Sequence, residues 1–421
     1  MKAPPRIVSP KATGCPAPDG TSVLIVSDQF PPAKGGIGDY TALLANALVE
    51  RGVRPSLFVQ KGSDPAACRA PIAGTFDCWS WAAASELHRV LIATNAEWVH
   101  LQHNGGMYKS CRLAAYFLPR YLRWKRWPGN IAVTFHDINR PFLFARAGRV
   151  RDWVLRDLAR NAGLVIAADT SDEAVLRSFG AAVHHVPIGS NIPVSRATTA
   201  KIAAIRNRYR IPPSAVVVGH FGTASGLETL FDAVASLPDV ILLLVGKTPD
   251  RGHPGCINIL PDSMHERIVR LQLGPRVQWT THLADHEVAD TLASCDVLVL
   301  PYARGASMRH GGLLACLAQG KPVITTAPPT PMPGFTVGES FLATPPGDVP
   351  ALAQAIQKVS YSETIRHRLS FGASQARPVF SWDHIADVHC RLYSDVAQCS
   401  AASRRAENAS IPDVAKTPDR C

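Results

Sequence analysis

Several short stretches of this chain end in residues that bind anions or manage protons. In the first half these are Gly35-Gly36-Ile37-Gly38, His103-Asn104-Gly105-Gly106 and His136-Asp137. In the second half they are Gly219-His220-Phe221-Gly222-Thr223, Gly246-Lys247, Thr281-His282-Leu283 and the run SMRHGGLLACLAQGKPVITT, Ser307 to Thr326. Glycines after a strand let backbone approach a ligand closely and leave helix N-terminal amides free for an anion. Gly311 and Gly312 directly precede LLACLA, so the amides of residues 310–313 are expected to open a helix without partners. Such a start carries about half a positive charge and accepts phosphate. Arg309 beside it can add a bidentate contact, which makes a diphosphate the best-suited guest. The bland alternative is a start capped by water with Arg309 in solvent. None of the glycines forms GxGxxG, and each histidine alone reads more readily as a structural hydrogen-bonder.

Composition removes several classes. Hydrophobic residues make up 46% and charged residues 18%, as in a globular protein. The longest apolar runs, such as VILLLV from Val240, are strand length, far below the roughly 20 residues of a spanning helix. Residues 1–20 are proline-rich without an apolar core and are expected to be a disordered leader rather than a secretory signal. The ten cysteines show no CxxC pair and no zinc spacing, so reduced thiols, no metal and a cytoplasmic location are expected.

The net charge of +11 calls for an anionic partner. Part of it is local: Lys109, Arg112, Arg120, Arg123, Lys125 and Arg126 interleave with Tyr116, Phe117, Tyr121, Trp124 and Trp127, with no Asp or Glu among residues 109–127. Two readings stay open. One is a helix at the inner face of an anionic membrane. The other is a solvated helix, interrupted by Pro119, whose aromatics face the core.

The elements that must position these residues alternate. TSVLIVSDQF, RPSLFVQ, EWVHLQHN, NIAVTFHD, GLVIAAD and HHVPIG read as strands separated by helices such as TALLANALVERG. A polar helix RATTAKIAAIRNRYR and IPPS interrupt the pattern, and AVVVGHFG, VILLLVGK, RVQWTTHL, DVLVLPYA and PVITT begin a second series. The expected fold is α/β, with two Rossmann-like, doubly wound parallel sheets facing across a cleft, ligands lying beyond the strands' carboxyl ends. The expected divisions are 21–195, a linker 196–214, 215–378, a closing helix 379–397 and a disordered tail 398–421.

PPAKGGIGDYTALLANALVERG, TFHD, LADHEVADTLASCDVLVLPYA, LLACLAQGKPVITT and FSWDHIADVHCRLYSDV occur in the order and separation that resemble the GT-B glycosyltransferases of family 4 or group 1. The resemblance covers most of residues 21–396. It implies transfer of a sugar from a nucleoside diphosphate, with retention, without metal and without a cofactor. It places the donor on the second domain, at Gly222, Thr223, Lys247, His282, Leu283 and the run Ser307, Met308, Arg309, His310, Gly311, Gly312 and Leu313, with Gly35 and Gly36 of the first domain near its phosphates and sugar. His136, Gly36 and Arg309 are expected at the reacting centre, and His103, Asn104 and Asp137 on the acceptor side. The acceptor is left open among small molecules, glycans and lipid-linked sugars.

Two departures stand out. By alignment on LLACLAQGKPV, the family's paired glutamates become Ser307 and Ala315. Its basic pair after the first strand of the second domain becomes His220 and Ser225. Arg309, with Lys247 as the weaker candidate, is expected to take over the phosphate-neutralising charge. The rival reading is a binding protein that keeps the fold and has lost catalysis. An epimerase would need an in-cleft carboxylate pair, and a nucleic-acid partner would need a recognition motif; neither is recognisable here.

Overall fold

The computed structural model describes residues 20–33, 35–108, 111–138, 148–246 and 261–409. The first seven strands are β1 (Ser22–Ser27), β2 (Arg54–Gln60), β3 (Ile72–Phe76), β4 (Trp98–His103), β5 (Asn130–Phe135), β6 (Leu164–Ala167) and β7 (Val183–His185). They form one sheet in the order β3-β2-β1-β4-β5-β6-β7, parallel throughout. A second parallel sheet has the order β10-β9-β8-β11-β12-β13. Its strands are β8 (Val216–Phe221), β9 (Val240–Val245), β10 (Val277–Trp279), β11 (Val297–Leu300), β12 (Val323–Thr326) and β13 (Leu342–Thr344).

The helices on the first sheet are α1 (Gly36–Val49), α2 (Trp81–Ala93), α3 (Arg112–Tyr116), α4 (Leu118–Trp124), α5 (Gly148–Asn161) and α6 (Thr170–Ser178). The second unit carries α7 (Thr199–Arg208), α8 (Leu227–Ala235), α9 (Asp262–Arg270), α10 (Asp285–Ala293), α11 (Gly311–Ala318), α12 (Val349–Tyr361) and α13 (Glu363–Ala376), and α14 (Trp382–Ala409) closes the chain.

Every residue of β1, β4, β6, β11 and β12 is buried, which explains their unbroken apolar runs: these strands are covered on both faces. The strands absent from the sequence reading are β3 and β13, both at sheet edges. β3 buries only Phe76 fully and β13 only Thr344, so neither carries an apolar run.

In both sheets the order reverses at the central pair, β1/β4 and β8/β11. Connections leave on opposite sides there, which opens a crevice at the carboxyl ends. Two other differences have plain causes. The basic aromatic stretch breaks at Phe117 into α3 and α4, so Pro119 lies in the first turn of α4, where it costs no helical hydrogen bond. The closing helix runs through Ala409, so 398–409 are helical where a disordered tail was expected. Residues 1–19 of the leader and 410–421 of the tail lie outside the described residues.

Helix α14 belongs to the first domain's core: Ile385, Ala386 and Tyr393 pack with Val23, Ile25 and Leu44. Tyr393 Oη and Thr134 Oγ1 flank the two ring nitrogens of His100 at 2.6 and 2.7 Å. Helix α7, within the span expected as linker, is tied to the second unit by Arg206, which donates to Ser294 O and Asp296 at 2.9 and 2.8 Å.

Candidate functional site

A cavity of about 440 Å³ opens between the two sheets at their carboxyl edges. Gln29, Gly36, Ile37 and Tyr40 line it from the β1–α1 connection, with Asn104, His136 and Asp137 from the ends of β4 and β5. Arg309, His310 and Gly311 face them from the second domain, and Ile188, Gly189, Asn191 and Trp382 close one side.

Two helix starts meet at this cavity. In α1, Gly38 N and Asp39 N donate to Gly35 O at 3.0 and 3.2 Å, so Gly36 and Ile37 keep amides with no acceptor among the described residues. In α11, Leu313 N and Leu314 N donate to His310 O at 2.9 and 3.2 Å, and His310 N donates to Ser307 O at 3.1 Å. The free pair there is Gly311 and Gly312, narrower than the four amides expected, because the turn before the helix already uses His310 and Leu313. Glycine at 312 is a packing requirement: a Cβ would stand 2.8 Å from Phe221 O. At Gly36 a Cβ would meet nothing within 4 Å.

Arg309 lines the cavity, but its guanidinium is shared. Nη1 donates to Asp172 Oδ2 at 3.1 Å, and Nη2 lies 3.4 Å from Ser171 Oγ. Both partners stand in the first turn of α6, across the cleft. Ser307 Oγ donates to Asp169, the N-cap of the same helix, and accepts from Arg309 N at 3.3 Å. Burial pushes the Asp172 carboxyl up to about 6 despite Arg309, with Asp169 and Asp137 adding to the rise. Asp169 goes the other way: hydrogen bonds from Ser171 and Ser307 outweigh its burial. In the same loop, His310 Nδ1 accepts from Ser307 N at 3.1 Å and its ring stacks on Tyr302 with centroids 3.8 Å apart. Burial and the neighbouring Arg309 hold His310 down at about 4, so it is neutral near pH 7.

His136 is 8% exposed, packs edge-on against Tyr40 and places Nε2 2.8 Å from Gln102 Oε1. With that amide oxygen as acceptor, the proton of the neutral ring lies on Nε2. Burial pushes its pKa down to about 3, Asp137 opposing and the histidines at 103 and 389 assisting. Such a ring orients ligands and does not titrate near neutrality. Asp137 is occupied too: Asn104 Nδ2 and Gly105 N, the latter at 2.9 Å, both donate to it, which pins the loop after β4.

Other expectations do not converge. His103 is 1% exposed between Tyr116 and Phe135, with neither ring nitrogen partnered, so it is part of the core rather than the acceptor side. Met308 and Leu313 are buried in the apolar core of the second domain, and Ala315 is packed there as well. Gly222 backs the start of α11, while the exposed Thr223 accepts from His220 through its carbonyl at 3.0 Å. The other ring nitrogen of His220 meets Val299 O at 2.9 Å, so this buried histidine braces backbone instead of facing phosphate. Ser225 Oγ accepts from Ala303 N. His282 is exposed and Leu283 buried, and neither lines the cavity. Lys247 lies outside the described residues.

Sequence reasoning missed Gln102, Gln29, Tyr40, Asn191, Trp382, Asp169 and Asp172. The only available signal was at Asp169, which sits after a strand and before a helix as an N-cap should.

The family described as Glycosyltransferase Family 4 matches residues 34–192, and the one described as Glycosyl transferases group 1 matches 212–361. D-inositol 3-phosphate glycosyltransferase of Stackebrandtia nassauensis is 30% identical over 223 residues, 50% of this chain and 48% of that protein. The chain spans about half the length of the first curated relatives it matches. Among solved structures, sucrose-phosphate synthase of Thermosynechococcus elongatus superposes with a TM-score of 0.67 at 22% identity, covering 90% of this chain and 100% of that one. HepE of Anabaena, solved with UDP and glucose, gives 0.65 at 18%, covering 90% and 99%.

Proposed function

The chain belongs, through both of its matched domains, to the family 4 and group 1 glycosyltransferases of GT-B fold, and from that premise we propose that it moves a sugar from a nucleoside diphosphate to an acceptor held on the first domain. One observation carries the reading: two helix starts with free amides, Gly36-Ile37 and Gly311-Gly312, meet Arg309 and a neutral His136 around one interdomain cavity. That arrangement suits a diphosphate, with the amides as fixed dipoles and Arg309 as the cation. UDP in the complex of HepE, a protein of the same fold, supports a nucleoside-diphosphate donor.

The reaction we propose breaks the anomeric carbon–phosphate oxygen bond and forms one from the anomeric carbon to the acceptor oxygen on the same face. The acceptor's proton passes to the departing diphosphate, so no side chain is needed as base. Gly36, Gly311, Gly312 and Arg309 stabilise the growing phosphate charge, which is the role a metal would otherwise fill. His136, Tyr40 and Trp382 wall the sugar and exclude water.

Incubation with UDP-, GDP- and ADP-sugars, scored by release of nucleoside diphosphate with and without added acceptors, tests this reading. Release from one donor class supports it. Binding without release from any donor would support the binding-protein reading instead, and absence of binding to all three would remove both.

A further inference from the structure

We infer that the aromatic and basic face of α2, α4 and α5 docks the protein onto an anionic lipid surface beside the cavity. Leu118 and Leu122 of α4 are fully buried, so that helix already has its core-facing stripe. Phe117, Tyr121 and Trp124 follow a different stripe, spaced four and three residues apart. Trp124 is 71% exposed, Trp153 of α5 52% and Trp81 of α2 47%. Their rings meet in two groups: Trp153 meets Phe117 at 5.5 Å, and Tyr121 meets Trp81 and Trp124 at 5.9 and 6.0 Å. Within the stretch, Tyr116 and Trp127 are buried in the first domain's core and Phe117 and Tyr121 pack partly against it, as the second reading expects, whereas core packing does not account for the exposed Trp124, nor for Trp81 and Trp153 beside it.

The charge on this face selects the occupant. Lys125 lies over the Trp124 ring at 4.7 Å, with Arg123 and Arg126 on the same helix end, and no carboxylate occurs between Glu97 and Asp137. Nearby acids are engaged: Asp157 is held by Arg120 and Glu86 pairs with Arg89. Tryptophan beside Lys and Arg suits the headgroup layer, where the ring sits at the interface and the cation meets phosphate. The location also fits the site. Asn104, which lines the cavity, leads into α3 ahead of α4, and Asp137 leads toward α5. A lipid-borne acceptor would thus approach the acceptor side of the cleft; this part rests on the transfer reading, while the docking surface does not.

The test is sedimentation of the full chain with vesicles of phosphatidylglycerol and phosphatidylcholine in equal parts, or of phosphatidylcholine alone. Wild-type protein is expected to bind the anionic vesicles only, and less as salt rises. Arg123→Glu with Lys125→Glu should weaken that binding by at least about tenfold. Trp124→Ala with Trp153→Ala should weaken it while keeping the salt dependence. Thermal melts establish that each variant is folded, and the single changes Lys125→Glu and Trp124→Ala serve if a double variant is not. Equal binding by variants and wild type, or none by wild type, overturns the proposal. So does a concentration-dependent dimer that the tryptophan changes abolish, which would assign the face to a second copy. Nucleotide-sugar turnover plays no part in the readout, so failure here and failure of the transfer reading are separate results.

Discussion

Arg309 and Asp172 face each other across the interdomain cleft, guanidinium to carboxylate at 3.1 Å, from the phosphate-facing loop of one domain to the first turn of α6 in the other. Ser307 and Asp169 make a second link beside it, and Thr170 Oγ1 reaches Pro331 O at 3.2 Å. The cation that the cavity offers to an anion is therefore held in place by the opposite domain.

Removing Arg309 should weaken nucleoside-diphosphate binding. Charge-assisted contacts are worth about 1.5–3 kcal/mol, and the lower end applies because Asp172 already shares this guanidinium. Calorimetric titration of Arg309→Ala with the preferred nucleoside diphosphate checks it; unchanged affinity removes Arg309 from the site.

The latch gives stability a pH signature. The Asp172 carboxyl rises to about 6 in the folded protein from an ordinary value near 3.8, so the folded chain holds this proton more firmly than the unfolded one. The cost of burying the ionised group is absent below about pH 4, grows between 4 and 6, and is constant above. Arg309, Asp169 and Asp137 are the charges facing it. Asp169, whose pKa is lowered, contributes the opposite slope at lower pH. Wild-type melting temperature should fall relative to Asp172→Asn between pH 4 and 6; parallel curves through that window would refute this.

Two glycines at the two helix starts should fail differently. Gly312→Ala drives a methyl against Phe221 O and Gly222, so it should destabilise the fold by about 1–3 kcal/mol and displace the start of α11. Gly36→Ala has open space, so the melt should hold while donor turnover drops, because the methyl enters the cavity. Equal melting losses in both variants would contradict the geometry.

His136→Ala should cost at least about tenfold in turnover through lost positioning. Because the ring is neutral down to about pH 3, the wild-type rate profile should show no limb near pH 6 to 7 that this substitution abolishes. Gln102→Leu should lower turnover in the same direction, since it frees the ring that Gln102 orients.

Tyr393→Phe leaves His100 Nδ1 without its partner at 2.6 Å inside the first domain. The expected loss is about 1–3 kcal/mol in denaturant unfolding, the usual cost of an unsatisfied buried polar atom. No change would mean that the Tyr393–His100 contact adds nothing to the docking of α14, which Arg51 also holds through Asp383 and Asp387.

What the sequence determined by itself follows from local rules. Unbroken apolar runs of strand length, rich in Val and Ile and bounded by turn residues, read as strands covered on both faces, so two parallel sheets and most of their strands were legible, as was the glycine start of α11. The edge strands β3 and β13 were not, because half-exposed strands carry no such run. Only the tertiary structure decided which strand-end residues face the cleft. His103 ends β4 and His136 comes one residue past β5, where Phe135 is the partner of His103, so the alternation of side chains buries one histidine and lifts the other into the cavity. The partners of Arg309 and Ser307 were equally hidden, since Asp172 and Asp169 lie 137 and 138 residues away and meet them only because two independently patterned sheets close on each other. Periodicity reports which face of an element is buried; which element of another domain comes to cover it is set by how the domains pack.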